Sequence, residues 1–129
     1  MSTDFKVTLH PLYLQVELAR DYEIGPEGTT QLIMAIADVC ARQELRRVLI
    51  EGTIGRRSMG TMDSFSLGSL IGSTLTGMSI ACCFYGYAPD GQTRFFMDVS
   101  QNRGVRVEFF KERAAALRWL GLGESSSAQ

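Results

Sequence analysis

Two stretches near the start of the chain, FKVTL (5–9) and LYLQVEL (12–18), alternate apolar with polar residues. That is the period of a strand with one buried face. His10-Pro11 lies between them and marks a tight turn, which predicts a hairpin with Leu12, Leu14, Val16 and Leu18 on one face. DYEIGPEG then breaks the alternation with glycine, proline and charge. In TTQLIMAIADVCARQEL (29–45) the period lengthens: Leu32, Ile33, Ile36, Val39 and Cys40 form one helical stripe. Pro26 suits the first turn of this helix and Arg42 its last.

RRVLIEG (46–52) is a short apolar run bounded by glycine and predicts a buried parallel strand. TIGRRSMGT (53–61) reads as a loop. In the segment after it, Leu67, Leu70, Ile71 and Leu75 make a helical stripe. MSIACCFYGY (78–87) predicts another strand and Pro89-Asp90-Gly91 a turn. TRFFMDVSQNRG (93–104) predicts a helix with Phe95, Phe96 and Val99 on one face, ending at Gly104. VRVEFF (105–110) alternates again, and KERAAALRWL (111–120) is a short helix stopped by Gly121. The predicted order is β-β-α-β-α-β-α-β-α, an α/β chain with a mixed, mostly parallel sheet. One domain is expected over residues 1–123, with 124–129 as a disordered tail.

Composition narrows the function classes. The chain has 129 residues, 45% hydrophobic and 21% charged, with a formal net charge of −1. Bulk charge therefore favours neither nucleic acid nor an anionic membrane. No apolar run reaches the length of a membrane span, and the first ten residues do not read as a secretory signal, so a cytoplasmic protein is expected. Cys40, Cys82 and Cys83 are read as buried thiols, the last two pointing to opposite faces of a strand.

Catalytic signatures are missing from the sequence. His10 is the single histidine and sits beside a turn proline, where exposure is expected. No cysteine and histidine spacing suits zinc, and no phosphate-binding or dinucleotide loop is present. The expectation is a non-enzymatic protein with no cofactor and no metal.

One stretch carries a sharper signal. In TMDSFSLGSLIG (61–72), Ser64, Gly68 and Gly72 continue a line begun at Gly60, with one small residue every four. Glycine costs about 1 kcal/mol against alanine inside a helix, so such a line predicts close approach of a neighbouring element. Asp63 and Ser64 open the helix. They are read either as N-caps for its free amides or as a surface on which Ser64 is a modifiable hydroxyl. Arg56 and Arg57 precede them and are read as loop charges, or as contacts to an anion or acidic partner. Phe95, Phe96 and Met97 are read as core packing, or, where they exceed what one helix face buries, as a patch for a partner or a second copy.

The element order, together with Asp63-Ser64 before a Gly/Leu-rich helix, resembles the STAS domain, named for sulfate transporters and anti-sigma-factor antagonists. The family pattern Asp-Ser-Ser-Gly-Leu-Gly is met here by Asp63, Ser64, Phe65, Ser66, Leu67 and Gly68, with Phe65 and Ser66 departing from it. NRGVRVEFFKERAAALRWL (102–120) is similar to the ending of a bacterial STAS-like branch related in shape to CRAL-TRIO lipid-carrying folds. The resemblance implies a regulatory module that binds a protein partner, a kinase or an anti-sigma factor, with Ser64 in the place of the phosphorylated serine. Asp63, Ser66, Arg56 and Arg57 would be contact residues. The alternative is a carrier whose apolar pocket, bordered by Met59, Met62 and Met78, takes a lipid or nucleotide. A homodimer is compatible with either reading.

Overall fold

The computed structural model describes residues 5–19, 22–57, 61–85 and 91–122, except the side chains of 22–24, 26, 54–57, 61, 64 and 92. The strands are β1 (Phe5–Leu9), β2 (Leu14–Leu18), β3 (Tyr22–Ile24), β4 (Arg47–Arg57), β5 (Ser79–Tyr85) and β6 (Arg106–Phe110). The helices are α1 (Pro26–Gln43), α2 (Thr61–Thr74), α3 (Gly91–Asn102) and α4 (Arg113–Trp119). The sheet runs β1-β2-β4-β5-β6, and β3 pairs with β4 as well. Among the described residues, only β1 is antiparallel to its neighbour and every other pairing is parallel. The expected mixed, mostly parallel α/β architecture is what the chain adopts.

The expected element order needs one correction. Three strands, not two, precede the first helix. In register, Glu17 faces Glu51 of β4 while Tyr22 faces Ile54, so β2 and β3 serve successive stretches of one long neighbour with extra residues between them. The proline and glycine that hide this strand lie just beyond it: Gly25 is the N-cap of α1 and Pro26 its first residue. The loop expected over 53–61 is corrected for the same reason. Thr53 pairs with Tyr85 on β5, and Arg56 and Arg57 pair with Glu23 and Ile24 on β3, so 53–57 continue β4. The predicted turn at 89–90, the tail and Met59 lie outside the described residues.

Side-chain alternation divides the sheet into two faces. Leu14, Val16, Val48, Ile50, Ile80, Cys82 and Val107 form the main core with α1 and α2, and Phe96 and Met97 of α3 pack against it. On the opposite face, Leu49, Ala81 and Cys83 meet Ala116 and Leu120 from the region of α4. Cys82 and Cys83 therefore do point to opposite faces. Two smaller expectations fail. Leu12 belongs to the turn, not to β2, and is 60% exposed. Phe95 points outward on α3, while Val99 is buried.

The helix ends follow their local chemistry. Gly104 closes the turn after α3 at φ 90° and Gly121 the turn after α4 at φ 83°, the left-handed conformation glycine adopts without a Cβ penalty. Among the described residues no helix is long and apolar enough to cross a membrane.

Candidate functional site

α2 is the next described element after β4, beginning four residues past Arg57. Leu67, Ile71 and Leu75 anchor the helix in the main core. Its small residues face α3: a Cβ on Gly68 would stand 2.7 Å from Val99 Cγ1, and one on Gly72 would strike the stem of Arg103. The small-residue line is thus a groove that seats Val99 and Arg103. The guanidinium of Arg103 lies 5.6 Å from the ring centroid of Phe65, within cation–π range.

Seating that side of α2 leaves other residues of its first turns in solvent. Met62 is 72% exposed and Phe65 42%, and Ser66 is exposed as well. The parallel register of Gly68 against Val99, carried back one turn, sets the head of α2 beside the head of α3. Phe95, 36% exposed, and Arg94 belong to that neighbouring turn. The result is a surface of large apolar side chains edged by arginines at one end of the sheet.

Asp63 is the third residue of α2 and Ser64 the fourth, so neither is the N-cap. Asp63 is half-buried, already engaged within the protein, and placed where a carboxylate suits the positive end of the helix dipole. The side chain of Ser64 lies outside the described ones. Arg56 and Arg57 end β4, five and four residues before Thr61, and their side chains are likewise outside the described ones. Met78 is buried at the opposite end of the sheet from Met62, so these two methionines do not border one pocket.

A second group of polar residues, on the α4 face, escaped the sequence reading. Glu51 is a carboxylate only 9% exposed. Arg113 grips it with two bonds, Nε to Oε2 at 2.9 Å and Nη2 to Oε1 at 3.0 Å. Gln15 Nε2 donates to Oε1 at 2.7 Å, and the Tyr85 hydroxyl lies 3.4 Å from Oε2. Because the Gln15 amide nitrogen is committed to a carboxylate, its oxygen must accept, so His10 donates from Nε2 at 2.7 Å. His10 is half-buried and stacks on Tyr13 with centroids 4.4 Å apart, which corrects the expectation of an exposed ring. A hydrogen bond with Cys83, and then burial, push the Tyr85 phenol up to about 12. The signal in the sequence was Glu51 itself, a charge inside an apolar run, which is almost never buried without partners.

No protein-family model matches the chain, and no curated protein matches it either.

Proposed function

We propose that this chain is a STAS-like, non-enzymatic regulatory module that binds a protein partner through the heads of α2 and α3. The observation that carries the reading is the exposure of Met62 and Phe65 on the first turns of a helix whose groove is already filled by Val99 and Arg103. Apolar side chains of this size contribute most when a partner covers them, and flanking arginines select an acidic or phosphorylated surface. The mixed sheet with its antiparallel first hairpin and four helices supports the STAS-like part of the reading.

Ser64 is the residue at which a partner kinase would change this surface. A phosphate there adds charge close to Asp63 and at the edge of the apolar patch, which weakens docking by repulsion and desolvation. Arg56, Arg57 and Ser66 are the proposed polar contacts, and the setting is cytoplasmic.

A photo-crosslinking residue at position 62 tests the reading in cells of the source organism. It should capture one defined protein, and the same residue at exposed Glu27 on α1 should not. Equal capture from both positions would contradict a docking surface at the head of α2.

A further inference from the structure

Among the described residues, nothing covers the carboxyl half of the α4 face. α4 has seven residues, and with Leu120 it covers Leu49, Ala81 and Cys83. Beyond them the strands present Gln15, Glu17, Glu51, Thr53 and Tyr85, which with Arg113 line a cleft of about 530 Å³. The cleft sits at the carboxyl ends of β2 and β5 and midway along β4. Its volume lies in the range of small-molecule sites.

The charges in the cleft are of two kinds. Glu51 is fully engaged by Arg113, Gln15 and Tyr85. Arg113 is only partly used: Nε and Nη2 bond Glu51, the guanidinium has further N–H donors, and its side chain is 49% exposed. Glu17 stands opposite Glu51 in the register, one strand over, and is exposed, with no hydrogen bond or ion pair among the described residues. Thr53 offers an exposed hydroxyl, also without a partner among the described residues, and Tyr85 is 40% exposed.

A fixed cation with spare donors thus shares one cleft with an unmatched carboxylate. A simple anion would satisfy Arg113 but meet Glu17 and Glu51. A simple cation would satisfy Glu17 but leave the spare N–H donors of Arg113, whose charge Glu51 already balances, without an acceptor. A molecule bearing both charges meets neither penalty. We infer that this cleft binds a small zwitterion of the free α-amino acid class, its carboxylate on the open edge of Arg113 and its ammonium on Glu17. Glu51 and Gln15 are positioning residues that hold the guanidinium in place. The site lies on the opposite face of the sheet from α2, so it stands independently of the partner-docking surface.

The test is a ¹H–¹⁵N chemical-shift titration of the full chain with each free L-amino acid at millimolar concentration. At least one should shift the amides of Gln15, Glu51, Thr53 and Tyr85 saturably. The corresponding amine without the carboxylate, and the acid without the ammonium, should each bind about tenfold or more weakly. Glu17→Gln breaks no hydrogen bond or ion pair among the described residues, so it should keep the parental unfolding midpoint and weaken binding by about tenfold. Arg113→Lys retains the charge but not the fork and should weaken it similarly. The inference is overturned if no amino acid shifts these amides, if the amine or the acid binds as tightly as the amino acid, or if Glu17→Gln binds like the parent.

Discussion

Gly68 on α2 and Val99 on α3 pack so closely that a Cβ on the glycine would stand 2.7 Å from Val99 Cγ1 and 2.9 Å from its Cβ. β-Branched valine has little freedom to turn away, so the contact holds the two helices at one separation. Gly72 stands in the same relation to the Arg103 stem. Replacing Gly68 with leucine should therefore overpack the interface and lower stability by about 1–3 kcal/mol. A denaturant midpoint equal to that of the parent protein would show that the helices are not in contact along this line.

Glu51 is expected to matter for stability as much as an apolar core residue does. Glu51→Gln keeps the shape but loses the charge that Arg113 and Gln15 address. The expected cost is about 1–3 kcal/mol, since hydrogen bonds to charged groups are the strong ones. Urea unfolding of the variant measures it. An unchanged midpoint would mean that the network contributes nothing net.

The three thiols should be inert in the folded protein. Burial pushes Cys40 up to about 11 and Cys82 up to about 12, and raises Cys83 too. Since the thiolate is the reactive form, iodoacetamide at pH 8 should leave the native chain unmodified and alkylate all three after unfolding. Rapid modification of native Cys83 would show that α4 does not cover it.

Tyr85 makes stability fall at high pH. Its phenol is raised from the ordinary 10.0 to about 12 by the hydrogen bond with Cys83 and by burial. The folded state therefore holds this proton more tightly than the unfolded state. The stabilising contribution is complete below pH 10 and is lost as the pH rises through 12. Absorbance at 295 nm should show the late ionisation in the parent and not in Tyr85→Phe. Ionisation of every tyrosine at the ordinary value would contradict it.

The small-residue line could be read from spacing alone, because only close approach explains glycines a turn apart in a helix. Its partner could not, since nothing local says that position 68 meets position 99. β3 was hidden because Gly25 and Pro26 dominate a stretch in which the strand has three residues. The end of β4 was hidden because Gly55 and two arginines look like a loop, and it takes β3 to pair them. The Glu51 network depends on five separate segments meeting, so the sequence offered only the anomaly of a carboxylate in a buried strand.

Ser64 separates regulation from capping. As the fourth residue of α2 it is past the capping position, so Ser64→Ala should change stability by no more than about 0.5 kcal/mol. Ser64→Asp should stay folded and lose partner binding, while Ser64→Ala keeps it. Equal binding by both variants would remove Ser64 from the regulatory account.

Partner affinity across variants of the α2 head is the most direct measurement of the central claim. Once the crosslinked partner is purified, its Kd for the parent, Phe65→Glu, Met62→Lys and Glu27→Gln can be compared by calorimetry. Phe65→Glu and Met62→Lys should each weaken binding by about tenfold or more while unfolding like the parent, with Glu27→Gln unchanged. Parental affinity in both head variants would contradict a docking surface formed by α2.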